Sequence, residues 1–99
     1  MNRLQLTASV VEREALRYTS AGVPIASCTL QHRTEVVEAG ILRQVELTIE
    51  AMAVGEASGK LEACEMGVET RFTGFLAKKS RKARTLVFHI TALQDIEKA

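Results

Sequence analysis

The most distinctive chemical feature of the sequence is KKSRKAR, which occupies positions 78–84 and carries five positive charges. The complete chain has a formal net charge of only +1. Outside this stretch, eight basic residues face twelve acidic ones, so the remainder carries a net charge of −4. Clustered like charges repel one another, and the stretch therefore predicts a site for a negatively charged partner, with phosphate groups as the natural ligand. The basic side chains are Lys78, Lys79, Arg81, Lys82 and Arg84.

Other side chains could extend this positive surface from the ends of predicted strands: Arg17, His32, Arg33 and Arg43. Tyr18 is the best candidate for stacking against a base, whereas the chain contains no Trp and only three Phe. Each stacked base stabilises a complex by roughly 1 to 3 kcal/mol, so few aromatic residues mean a weak stacking contribution. The alternative interpretation of the basic stretch is a solvated turn that keeps the protein soluble.

Catalytic and metal-binding interpretations have little support in the sequence. His32 and His89 are not adjacent to a candidate nucleophile, and no nucleophile elbow, phosphate loop or zinc-protease motif is present. Cys28 and Cys64 are not in a CxxC arrangement, which favours reduced, buried thiols over a zinc site. We therefore expect no enzyme activity, no metal and no cofactor.

Length and composition predict a single small domain covering residues 1–99. A hydrophobic content of 46% and a charged content of 25% are typical of a soluble globular protein. No apolar run approaches the roughly 18 residues that a membrane span requires, and the amino-terminal residues do not resemble a signal peptide. We expect a cytoplasmic protein that does not interact with membranes.

Alternation of apolar and polar residues predicts five strands, at 4–10, 25–31, 45–51, 68–77 and 86–91. The first two are expected to form a hairpin, and TEVVEAG, at 34–40, is expected to be a loop. A short helix fits between Gly55 and Gly67, interrupted near its start by Gly59. Gly74 is expected to mark a bulge or a close backbone approach.

Alternation also predicts the residues of the core. Phe72 and Phe88 are expected there because they share a register with Leu76, Leu86 and Ile90. Phe75 is on the opposite register, and the sequence does not assign it to the core or to the surface. Leu93 and Ile96 are expected to close the core.

Three strands, a short helix and two further strands predict an all-β protein with one helix, namely a five-stranded Greek-key OB-fold barrel. Other small β-barrels share part of this pattern. In OB-folds, the loops between strands one and two and between strands four and five border the groove that binds oligonucleotides. The basic stretch lies between predicted strands four and five. Its positive charge is therefore expected beside the groove in which OB-folds bind oligonucleotides.

The sequence also resembles the bacterial single-stranded DNA-binding protein superfamily, and most closely its small primosomal members. The resemblance covers nearly the whole chain and rests on residues 2–4 (NRL), 20–24 (SAGVP), 30–33 (LQHR), 74–75 (GF) and the basic loop. We expect no acidic tail, in contrast to ordinary single-stranded DNA-binding protein. The resemblance implies a non-catalytic homodimer that binds single-stranded DNA at stalled forks and helps the primosomal helicase PriA.

By position, the resemblance assigns DNA binding to Arg17, Arg33 and the five basic residues of 78–84. Some family members carry aromatic residues where this chain has Ile41 and Glu46, so we expect weaker DNA binding here. Two hypotheses follow. Either the protein is mainly a DNA-binding module, which we favour, or it is mainly an interaction platform whose basic loop docks an acidic or DNA-bound partner such as the helicase.

Overall fold

The structure, a computed structural model, describes residues 1–96, so the last three positions of the predicted 1–99 domain lie outside the described residues. Within 1–96 the chain forms six strands and one helix. These are β1 (Leu4–Arg13), β2 (Arg17–Tyr18), β3 (Pro24–Glu38), β4 (Ile41–Val54), α1 (Glu56–Ala63), β5 (Thr70–Lys78) and β6 (Leu86–Asp95).

The five long strands close into a barrel because β1 pairs with two different neighbours. Residues 4–8 pair antiparallel with β5, and the second part of β1, from Ser9 to Arg13, pairs antiparallel with β3. A bulge between Val10 and Glu12 accompanies the second pairing and bends the strand. The predicted OB-fold and the predicted hairpin between the first two long strands are confirmed. The two-residue β2, which pairs with the start of β3, was not predicted.

The core lies inside the barrel, where the alternating apolar side chains of all five long strands meet. Phe72 and Phe88 are fully buried, as predicted, and Leu61 of α1 is buried against the same cluster. Leu93 packs against the cluster as expected, and Ile96 is half-buried. The prediction was wrong for Leu86, which is exposed because it stands at the first position of β6.

The predicted loop at 34–40 is instead part of a long β-hairpin. β3 and β4 remain paired from Ile25↔Val54 to Glu38↔Ile41, and only Ala39 and Gly40 form the turn. Both turn residues have positive φ, as a two-residue hairpin turn with the appropriate twist requires. The prediction was wrong because Ala at such a position is unusual, which hid the turn. We call the projecting part of this hairpin, residues 33–46, the arm.

The single helix of the described residues forms where it was predicted, between Gly55 and Gly67. It is continuous through Gly59, so the expected interruption does not occur. Ser58 and Leu61 are the buried residues of this helix. At eight residues, α1 is far too short to cross a membrane, and residues 1–96 contain no other helix.

His32 occupies the interior of β3, and not the rim of the sheet as the sequence suggested. It is buried, and its Nδ1 lies 2.6 Å from the carbonyl oxygen of Thr7. That carbonyl lies just beyond the point where the ladder between β1 and β3 ends, at Ser9↔Gln31. The imidazole therefore provides a hydrogen-bond partner for a backbone group at the position where the two strands separate.

Gly74 combines the two properties that the sequence predicted for it. The register between β5 and β6 shifts between Thr73 and Gly74, which is a bulge. A Cβ atom at Gly74 would lie only 1.8 Å from the carbonyl oxygen of His89. Only glycine therefore allows β5 and β6 to approach this closely.

We expect Gly74→Ala to lower the free energy of unfolding by about 1 to 3 kcal/mol, because backbone atoms of β6 must move to admit the methyl group. Chemical denaturation followed by circular dichroism measures the change. Gly59→Ala is the matched control, since a Cβ at this helical position meets nothing within 4 Å. It should raise the stability by roughly 0.5 to 1 kcal/mol. Equal stability of Gly74→Ala and the parent would contradict the close approach.

Candidate nucleic-acid interface

A cleft of about 580 Å³ lies at one end of the barrel, between the connection from β1 to β3 and the connection from β5 to β6. Its floor includes Ser27 of β3, Met52 of β4 and His89 of β6. Ser27 and Met52 are direct cross-strand partners, as are Met52 and His89. These three side chains therefore share one surface of the sheet, which we call the outer face.

Three of the predicted basic residues converge on this cleft. Arg17 reaches it from β2, and Lys78 and Lys79 reach it from the end of β5. The sequence separates Arg17 from the two lysines by about sixty positions, and closure of the barrel brings the two segments together. The cleft therefore presents positive charge from both of its walls.

Two carboxylates lie in the same cleft, and neither was predicted from the sequence as a site residue. Glu14 lines the wall that carries Arg17, and Glu50 lies on the floor, where its Oε1 accepts a hydrogen bond from Lys79 Nζ at 3.0 Å. Glu50 alternates with apolar residues in β4, so its outward direction was predictable, but its partner was not. Lys79 is therefore partly neutralised, whereas Lys78 has no carboxylate within ion-pair distance among residues 1–96.

The basic loop between β5 and β6 has a defined backbone, although its side chains are exposed. The N–H of Lys79 donates to the carbonyl of Thr85 at 2.9 Å, and the N–H of Ala83 donates to that of Ser80 at 3.2 Å. Lys78 Nζ donates to the carbonyl of Arg81 at 3.0 Å. The remaining cations of the loop, Arg81, Lys82 and Arg84, are exposed and do not line the cleft. Their charges extend the positive surface from the cleft along the basic loop.

Arg33 and Arg43 lie on the arm, away from the cleft. Arg33 shares the outer face with Ser27, about 20 Å further along β3 at 3.3 Å per residue, and its Nε lies 3.5 Å from a carboxylate oxygen of Glu46. Arg43 lies on the opposite face of the arm and is paired with Glu38 at 2.7 Å. The structure thus places Arg33 on the same surface as the cleft, and it does not bring Arg43 there.

Tyr18 is exposed, as predicted, but it does not line the cleft. Successive side chains of a strand point to opposite sides, so the residue that follows Arg17 is directed away from the cleft that Arg17 lines. Another aromatic ring lies closer, that of Phe75, which the sequence left unassigned. Phe75 and His89 are cross-strand partners on β5 and β6, and their rings are stacked.

Cys28 contributes to the wall of the cleft but is buried and chemically quiet. Burial raises the pKa of its thiol to about 11, with Arg13 acting in the opposite direction. Cys64 is partly exposed, in contrast to the prediction that both thiols are buried. Within the described part of the chain, no group of His, Cys, Asp and Glu residues is arranged to hold a metal ion.

The fold and the cleft together define an OB-fold protein with a cationic groove. Comparison with known families agrees: residues 2–92 match the family described as "Another single-strand binding protein family". The chain is 42% identical to the replication restart protein PriB of Bordetella pertussis, over 97% of this chain and 90% of that protein. It is 36% identical to the PriB of Nitrosomonas europaea, over 90% and 82% of the two chains. The chain therefore belongs to the single-strand binding protein family, and within it to the PriB group.

Solved structures agree with this assignment. The PriB structure from Ralstonia solanacearum superposes with a TM-score of 0.87 at 46% identity, covering 97% of this chain and 98% of that one. A single-stranded DNA binding protein from Thermus aquaticus superposes with a TM-score of 0.75 at 17% identity, covering 99% of this chain and 51% of that one. At that identity, the second similarity concerns the fold alone.

We expect thiol labelling to separate the two cysteines. At about pH 8, a thiol with a pKa near 11 is ionised in roughly one molecule in a thousand, and only the thiolate reacts with iodoacetamide. Native protein should therefore be modified at Cys64 and spared at Cys28, as measured by peptide mass spectrometry. Unfolding in denaturant should make both sites reactive. Rapid labelling of Cys28 in the folded Cys64→Ser variant would contradict its burial.

Proposed function

We propose that this protein binds single-stranded DNA during replication restart and acts as a binding protein, without catalysing a reaction and without a cofactor. The observation that carries the proposal is the convergence of Arg17, Lys78 and Lys79 on one cleft of an OB-fold. Family membership supports the same function, since the relatives are named replication restart proteins. Such a role places the protein in the cytoplasm, where the bacterial chromosome is replicated.

In this proposal the cleft binds the sugar-phosphate backbone of the strand. Phosphates replace water and counterions around the lysines of β5 and around Arg17, and the exposed cations of the basic loop continue the contact. Counterion release then supplies the affinity, which falls as salt rises. Phosphate contacts position a strand without reading its bases, so binding should not depend on sequence.

The same cleft limits the affinity. Glu14 and Glu50 repel phosphates, and Glu50 must share Lys79 with any DNA that enters. On the arm, Glu46 occupies a position where some relatives carry an aromatic residue, and it already neutralises Arg33. We therefore propose that the protein binds DNA with moderate affinity.

A second candidate function is an interaction platform for another primosome protein, with PriA as the partner that the family resemblance indicates. The end of the arm favours it: Val37 and Leu42 are direct cross-strand partners and are 71% and 62% exposed. Exposed apolar side chains clustered at one projection are typical of protein-binding surfaces. Under this hypothesis the basic loop positions the partner or the DNA that it carries.

We also propose that the protein forms a homodimer through β1. Residues 4–8 of β1 pair with β5 on one side only, since β3 pairs with β1 from Ser9 onward. The other edge of this segment is available to the equivalent segment of a second copy, although the carbonyl of Thr7 already has His32 as a partner. An unpaired strand edge is commonly protected by such pairing.

Replacing all five cations of 78–84 with alanine should abolish most single-strand binding. If three to five charges contact phosphates, the logarithmic salt slope of the parent is roughly −2 to −3.5, and that of the variant approaches zero. Fluorescence anisotropy of a labelled oligonucleotide at several salt concentrations measures both slopes. The melting temperature should stay nearly constant, because exposed charges contribute little to stability.

Two matched double variants locate the effect. Lys78→Ala with Lys79→Ala removes two charges from the cleft, and Lys60→Ala with Arg71→Ala removes two charges away from it. Only the first pair should weaken binding and flatten the salt slope. If the five-alanine variant binds with the slope of the parent, the loop is not the DNA site, and the interaction platform becomes the leading hypothesis. Stimulation of DNA unwinding by PriA, with and without the loop substitutions, then tests that hypothesis directly.

Assembly is tested separately. Sedimentation velocity at micromolar concentration should report a particle of about twice the 10.8 kDa chain mass, because pairing of two β1 edges buries backbone groups that are otherwise open. A monomer at this concentration would contradict the proposed dimer and would leave the DNA-binding proposal intact.

A further inference from the structure

The side chains of Phe75 and His89 form a stacked pair on the outer surface of the barrel. Their ring centroids are 4.8 Å apart and their planes differ by 11°. Phe75 remains 38% exposed, whereas His89 is half-buried. Phe72 and Phe88, in contrast, are fully buried in the core. Phe75 is therefore an aromatic ring held in a fixed orientation with part of its surface open to a ligand.

This pair lies beside the cationic cleft. His89 and Met52 line the cleft and also line a shallower hollow of about 270 Å³, and Phe75 belongs to the wall of that hollow. Val54 and Ala57 add further apolar surface there, and Glu56 and Thr91 add two polar side chains. Lys78 lies three residues after Phe75 on β5, or about 10 Å along the strand. A mainly apolar hollow with an aromatic wall therefore adjoins the cleft that Lys78 and Lys79 line.

The backbone geometry accounts for the orientation of the pair. Gly74 permits the close approach of β5 and β6, and the bulge at this position sets the register that places Phe75 opposite His89. Direct cross-strand neighbours have Cβ atoms about 4.5 to 5.5 Å apart, which matches parallel rings in contact. The imidazole is stacked on one face of the Phe75 ring, and the ring keeps its exposed part at the wall of the hollow.

We propose that Phe75, held in place by His89, is the base-stacking platform of this protein, with the base seated in the hollow and the adjoining phosphates bound by Lys78 and Lys79. The inference rests on the proposed binding of single-stranded DNA and identifies the contact that the cationic cleft alone does not supply. Every nucleobase has a π-face, so the platform accepts any base. His89 is a positioning residue, which acts through the ring of Phe75.

The first experiment uses the absence of Trp from the sequence. In Phe75→Trp, the new indole is the single Trp fluorophore, and stacking of a base quenches its emission. Addition of oligothymidylate should quench it, whereas an abasic oligonucleotide of equal length should quench it much less. Leu47→Trp is the matched control: Leu47 is 40% exposed, but β4 alternation places it on the face opposite Met52. Its emission should not distinguish the two oligonucleotides.

The second experiment measures affinity. Phe75→Leu should weaken binding of oligothymidylate by about 5- to 150-fold, which corresponds to the loss of one stacked base, and should leave the salt slope unchanged. The parent should prefer oligothymidylate to the abasic strand, and the variant should lose most of this preference. His89→Gln should reduce the preference less than Phe75→Leu does.

The outcomes separate this inference from the proposed function. If the parent binds with the expected salt slope and Phe75→Leu binds equally well with the same preference for bases, the stacking platform is refuted and DNA binding stands. If the parent does not bind single strands at all, both proposals fall. Phe75→Trp, which retains an aromatic ring, should bind within a few-fold of the parent and so shows that the position tolerates substitution.

Discussion

The division of β1 between two partners is the constraint on which the rest of the structure depends. Its first half pairs with β5 and its second half with β3, and this double pairing converts a sheet into a closed barrel. Closure brings the connection after β1 and the connection after β5 to the same end of the molecule. The cationic cleft exists because of this topology, since no local segment contains both of its walls. His32 stabilises the point of separation by bonding the Thr7 carbonyl.

The cleft contains cations that attract phosphates and carboxylates that repel them. Arg17 and Lys78 present charge without a carboxylate within ion-pair distance among residues 1–96, whereas Lys79 is paired with Glu50. Such a site attracts a polyanion over long range but binds it less tightly than an all-positive groove, because charge compensation is already partly internal.

The glycine at the bulge of β5 affects both the packing of the barrel and the position of an aromatic side chain on its surface. Gly74 allows two backbones to approach where any side chain would collide, and the resulting register places Phe75 against His89. A chain with few aromatic residues thereby orients one of them towards solvent beside the cleft. The arm differs from this region, because its exposed apolar residues lie away from the cations of the cleft.

The fold class, the core phenylalanines, the bulge at Gly74 and the concentration of charge at 78–84 could all be predicted from the sequence. Periodicity, glycine and like-charge clustering are local properties of a chain. The prediction of a loop at 34–40 was wrong because Ala39 and Gly40 form an unusual two-residue turn. The prediction that Leu86 is in the core was wrong because alternation does not show where a strand begins. Strand pairing brings Arg17 together with Lys78 and Lys79 and keeps Arg43 away from them. It also places Phe75, and not Tyr18, beside the cleft. These relations depend on strand pairing between distant segments, and each one-residue change of register reverses the face on which a side chain lies.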